Sequence, residues 1–259
     1  MRWIAAVLAA LACSAAWAQD RVYYDYVEDG VLKGGWIDAA DLCPPPAPGG
    51  VGVAATSTTI VNNGPSANRI DLVTVGDGYT AAQMATYYSH VTNVINLFFA
   101  QEPLNEYSTC FNVHRVDVAS NESGVDNDPT SGISRDTALD AGFWCADIER
   151  LLCVNTNKAW SYAGSAPACE QVLVLVNSSK YGGAGYTNLA TVAGANSSAV
   201  EVALHEFGHS FAKLGDEYDY GGSTTYTGGE PADPNASIYQ SAQWRPAPRS
   251  GTAGWAAAA

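Results

Sequence analysis

Positive charge is scarce in this chain. Its 259 residues carry 12 Lys+Arg against 26 Asp+Glu, a net charge of −14. The clustered cations that neutralise nucleic-acid phosphates or anionic lipid headgroups are therefore missing, and nucleic acid is excluded as a partner class. Long apolar runs are missing too: no stretch approaches the roughly 20 residues that a membrane span needs. No Cys-x-x-Cys pair occurs, which removes the common thiolate metal sites. Methionine appears only as Met1 and Met84. What is present is 47% hydrophobic and only 15% charged, a balance that fits a folded, exported protein better than a disordered one. The length allows one substantial domain, and a monomer is the simplest expectation.

The N-terminus has one cation at Arg2, a short apolar run from Ile4 to Cys13, and an Ala-x-Ala ending at Ala16-Trp17-Ala18. This pattern reads as a secretory signal over residues 1–18, cleaved after Ala18, which sends the chain to the periplasm or outside the cell. Cys43, Cys110, Cys145, Cys153 and Cys169 then remain. In an oxidising compartment they predict two disulfides and one odd thiol, with connectivity open.

Residues 19–67 read as an N-terminal segment followed by a linker, because the Pro-rich stretch from Pro44 gives way to a Thr/Ser/Asn/Gly-rich run. Folding is expected to begin near Asn68. Ile70 to Val75 has a short strand pattern, and Thr80 with Gln83 forms a capping box for a helix reaching about Ala100, with Met84, Tyr87, Val91, Val94, Ile95 and Phe98 on one face. Phe111 to Val118 alternates like a half-buried strand, which turns His114 outward. The Asp126-Asn127-Asp128 run lacks the Gly and closing Glu of a calcium loop. A helix is expected over Cys145 to Val154 and a buried strand over Gln171 to Asn177. Tyr181 to Tyr186 reads as a glycine-rich turn without a nucleotide-binding ending, leading into a candidate edge strand over Thr187 to Ala195 that could take a substrate by strand addition. Strand, helix, strand, helix, strand makes an α/β layer.

His205-Glu206-Phe207-Gly208-His209 is where residue type and spacing together name a chemistry. On a helix, positions i and i+4 share a face, so both imidazoles can reach one ion, while Glu206 points to the side where a water would be deprotonated. Ser198 with Glu201 reads as a second capping box, and Val200, Leu204, Phe207 and Phe211 as the buried stripe of that helix. A catalytic zinc centre needs a third protein ligand, and Asp216-Glu217 follows a turn at Gly215 that offers backbone freedom. Asp216, seven residues after His209, is the preferred ligand and Glu217 the alternative. Tyr218 is available to hydrogen-bond an oxyanion or simply to pack.

The segments Ile70 to Thr80, Phe111 to Asp126, Leu175 to Gly185 and His205 to Asp219 together resemble the M64 family of secreted zinc peptidases, the group named for an immunoglobulin A peptidase. The resemblance implies an α/β fold of the α+β zincin-like kind, a mixed twisted sheet with the HExxH helix packed on it. It further implies Zn2+ as cofactor, His205 and His209 as ligands, Glu206 as the catalytic base, and a protein or peptide substrate. The catalytic domain is expected over 68–225 and a tail of low order over 226–259. Peptidases of this type carry a Met-containing turn after the third ligand; no methionine follows Met84 here, so the expectation is a chain that is C-terminally incomplete or aberrant. The competing expectation is an inert zinc-binding or adhesive secreted module.

Overall fold

The computed structural model describes residues 55–216 and 233–236, together with the backbone of two strands at 21–28 and 31–38. The expected signal segment, Cys43, Glu217 and Tyr218 lie outside the described residues.

The strands are β1 (Arg21–Glu28), β2 (Val31–Asp38), β3 (Thr56–Val61), β4 (Ile70–Asp77), β5 (Phe111–Asp117), β6 (Gln171–Val176), β7 (Gly183–Tyr186) and β8 (Leu189–Ala193). They form one mixed sheet in the order β2-β1-β7-β8-β6-β4-β5-β3. Strands β5, β4, β6 and β8 run parallel, while β7 turns back against β8 and β3 against β5. The helices are α1 (Met84–Phe98), the one-turn α2 (Leu104–Tyr107), α3 (Thr156–Ala163) and α4 (Ala199–Ala212). This is the α/β arrangement of the expected fold class. Among the described residues no helix is long and apolar enough to cross a membrane.

The centre of the sheet is set by β4 and β6, whose unbroken apolar runs suit strands covered on both faces. Every residue of β6 is buried. Leu72, Leu173 and Leu175 point into a core shared with α1 and α4, whereas Val73, Val75 and Val174 point into a second core closed by α3 and by the irregular chain from Val118 to Val154. Helix α1 buries Tyr87, Val91, Val94, Ile95 and Phe98 of the face that the 3.6-residue period predicts, while Met84 in its first turn is half-buried. Thr80 donates its backbone N–H to Gln83 Oε1 at 3.1 Å, the expected capping box, which opens a short 3-10 turn ahead of the helix.

Several expectations need correcting. Folding does not wait for Asn68: β3 lies within 19–67 and pairs with β5, and β1 and β2 add a hairpin beside β7. His114 does not face outward. It is buried, bonded through Nε2 to Asp71 Oδ1 at 2.8 Å and through Nδ1 to the Thr59 hydroxyl at 2.9 Å, because β3 covers the outer side of β5. The helix expected over Cys145 to Val154 is absent. Trp144, Ala146 and Asp147 take φ of 66°, 50° and 61°, left-handed values that no α-helix accommodates, and a Cys145–Cys153 disulfide closes the loop. The helix forms later, at Thr156, where the Asn155 side chain accepts the Lys158 N–H. Where two disulfides were expected, the described residues form this one; Cys110 and Cys169 are free thiols, and burial pushes the Cys169 thiol up to about 12.

The long loop before that disulfide is anchored on Asp77 at the end of β4. Its buried carboxylate accepts from the backbone N–H groups of Leu139 and Ala141 and from the hydroxyls of Thr137 and Ser120. Four donors on one buried carboxylate supply the compensation that burial of a charge requires. Asp126, from the rejected calcium run, accepts the Arg135 N–H.

Candidate metal centre

Helix α4 packs against α1, β7 and β8. Phe207 fixes its rotation: its ring meets Phe98 edge-on at 5.1 Å and 89°, and stacks on Phe211 at 4.9 Å. With Phe207 facing the core, the i, i+4 geometry turns His205 and His209 toward one point beyond the other side of the helix. The expected stripe is only partly right. Val200 and Phe207 are buried, but Leu204 is half-buried and Phe211 exposed, so the buried side runs instead through Val202, Ala203 and His209. Nor does the Ser198 side chain cap the helix; the chain enters through Asn196, whose Oδ1 accepts the Ser198 N–H.

The glycine-rich stretch is a strand, not a turn, and the reason is contact with this helix. A β-carbon on Gly183 would lie 2.7 Å from Val202 Cγ1 and 2.9 Å from Glu206 Cγ, and one on Gly185 would lie 2.6 Å from His209 Cβ. Only glycine lets β7 approach so closely. The turn falls at Asn188, with φ of 60°. The stretch Thr187 to Ala195 is consequently no edge: β8 sits between β7 and β6, and β7 in turn pairs with β1 at Gly185 and Tyr186.

The helix ends at Lys213, in the left-handed region with φ of 58°, and Leu214 N–H bonds back to Gly208 O. The reversal that brings Asp216 round is therefore made by Lys213. Gly215 serves a different need, space: a β-carbon there would lie 2.7 Å from Asp233 Cγ.

Three atoms converge beyond the helix. His205 Nε2 and His209 Nε2 are 3.1 Å apart, and Asp216 Oδ1 is 3.2 Å from the first and 3.3 Å from the second. Ligands at about 2.0–2.1 Å from a tetrahedral zinc are about 3.3 Å from one another, so this triangle has the size of one face of a zinc tetrahedron. The donor set of two imidazoles and a carboxylate also suits that ion. His209 Nδ1 lies 2.5 Å from Leu214 O. A carbonyl only accepts, so Nδ1 carries the proton and Nε2 presents its lone pair to the centre. The Glu206 carboxylate lies within 4.8 Å of both imidazole donor atoms. The structure thus brings together all four preferred site residues, and Glu217 lies outside the described residues.

The electrostatics follow from this crowding. Burial would raise the Asp216 carboxyl, but the His205 and His209 imidazoles beside it outweigh that and hold the group well below the usual carboxylate range. Burial raises Glu206, and the two imidazoles only partly oppose that shift. For His205, whose ring is partly exposed, partial desolvation favours the neutral form, yet Asp216 and Glu206 reverse the balance and raise it.

Sequence reasoning missed the segment from Asp233 to Ala236. Asn235 Nδ2 donates to Gly215 O at 2.8 Å, and Gly215 N–H donates to Asn235 Oδ1 at 2.8 Å. No local signal marks a side chain that bonds the backbone across this sequence gap.

No curated protein matches the chain. The family described as IgA Peptidase M64 has a model that matches residues 58–251, well over half of the chain and all of the converging residues. With a mixed sheet, an HExxH helix laid against it, and an acid returned to that helix by a left-handed turn, the chain belongs to the M64 peptidase family.

Proposed function

We propose that this protein is an exported zinc endopeptidase, with His205, His209 and Asp216 as the metal ligands and Glu206 as the group that moves the proton. The observation that carries this reading is the triangle of donor atoms with edges of 3.1, 3.2 and 3.3 Å. Zinc, when bound, supplies a Lewis acid and lowers the pKa of water to about 7. Glu206 stands beside the ligands without belonging to the triangle, within 4.8 Å of both imidazole donor atoms, where it can take a proton from water and then give it up. It accepts the water proton as the peptide carbonyl is attacked and delivers it to the departing amine. His209 is oriented by Leu214 O, and Asp216 lies against both imidazoles.

Export is proposed from the N-terminal pattern over 1–18 and is supported by the Cys145–Cys153 disulfide, a bond that persists in oxidising compartments. The substrate class is polypeptide, as membership of a peptidase family implies.

The test is hydrolysis of unfolded casein by the purified full chain, with and without chelator, beside Glu206→Ala. The expected result is turnover abolished by chelator, restored by zinc, and reduced about 10²–10⁴-fold in the variant. Stoichiometric zinc without any chelator-sensitive turnover would instead identify an inert zinc-binding module.

A further inference from the structure

Asp216 gains its position from a residue far along the chain. Asn235 satisfies both backbone groups of Gly215 with one side-chain amide, donating to the carbonyl and accepting from the N–H, each at 2.8 Å. Reciprocal bonding of this kind leaves the Gly215 backbone little freedom to rotate. Because the peptide unit is planar, fixing Gly215 O also fixes the nitrogen and α-carbon of Asp216. Only φ and the side-chain torsions of Asp216 then separate the clamp from Oδ1, which lies 3.2 Å and 3.3 Å from the two imidazole nitrogens. Asp233 fills the space where a side chain on residue 215 would stand, and Ala236 N–H bonds to Asp233 O at 3.1 Å, so the clamp is itself a closed turn.

We infer that Asn235 is a positioning residue for the metal centre: by clamping the peptide plane ahead of Asp216, it sets the third ligand against His205 and His209. The inference rests on the zinc reading of the same site. Partners of metal ligands typically cost 10–100-fold in metal affinity when removed, and Asn235 acts one step further out through a rigid peptide. Loss of the clamp releases a turn that must then be ordered at the moment the ion binds, so affinity falls although all three ligands remain.

The experiment is zinc affinity of the full chain, measured by competition with a chromophoric chelator, for wild type, Asn235→Ala, Asn235→Asp, Asp216→Ala and the Asp216→Ala/Asn235→Ala double variant. Asn235→Ala should weaken zinc by about 10–100-fold. Asn235→Asp keeps the acceptor for Gly215 N–H and loses the donor to Gly215 O, so it should fall between; it also keeps the test open if the alanine variant does not fold. Since Asn235 acts through Asp216, the double variant should bind zinc no more weakly than Asp216→Ala alone. Unchanged affinity in both Asn235 variants, or losses that multiply in the double variant, would overturn the inference. Wild-type protein that binds no zinc would sink the zinc reading itself, a separate and recognisable result.

Discussion

Gly185 lies against His209 so closely that a β-carbon on the glycine would stand 2.6 Å from the histidine's own. Strand and helix therefore share one surface, and the imidazole's place depends on a side chain that is not there. Gly185→Ala must move one element away from the other, with an overpacking cost of about 1–3 kcal/mol and weaker zinc binding. Gly164→Ala is the control, because its β-carbon would meet nothing closer than 3.5 Å. Urea midpoints and zinc competition on the two variants check this; equal behaviour would contradict it.

Phe207 holds the rotation of α4 through its contacts with Phe98 and Phe211. Phe207→Ala should lose about 3–5 kcal/mol of stability. Phe211, exposed on the far side of the stack, should cost much less when truncated. Chemical denaturation of both variants separates the roles.

Much of this arrangement could be read from residue order, and the parts that could not share a physical cause. The periods of α1 and the i, i+4 spacing of His205 and His209 are local, so they survive without knowledge of neighbours. Gly183 and Gly185 carry the local signature of a turn, but their need for space arises from Glu206 and His209, more than twenty residues on. Gly215 has the same history: the torsional freedom assigned to it belongs to Lys213, and its lack of a side chain answers to Asp233. Thr187 to Ala195 carries the pattern of an edge strand yet lies inside the sheet, because strand order is not written in any one segment. Cys145 to Val154 looked helical by composition, yet left-handed residues and a disulfide hold it otherwise.

Asp71 supplies a pH prediction at a distance from the metal centre. Burial alone would raise its carboxyl, but hydrogen bonds from His114, Asn112 and Ser66 lower it below its ordinary 3.8. A depressed carboxylate contributes stability above its unfolded value, and that contribution is lost as pH falls toward the lower native value. Wild-type stability should therefore drop below about pH 4. Asp71→Asn should show a flatter acid limb, at a cost of about 1–3 kcal/mol at neutral pH, because the bonds that His114, Asn112 and Ser66 make to a carboxylate become bonds to a neutral amide. Urea unfolding at several pH values reads both effects, and an unchanged acid limb would contradict the assignment.

The proton role of Glu206 and the ligand roles of His205 and His209 separate in one assay, the zinc content of purified full-length variants. The account predicts about one equivalent in wild type and in Glu206→Ala, and almost none in His205→Ala or His209→Ala. Wild-type protein without zinc, or histidine variants that keep it, would contradict the account.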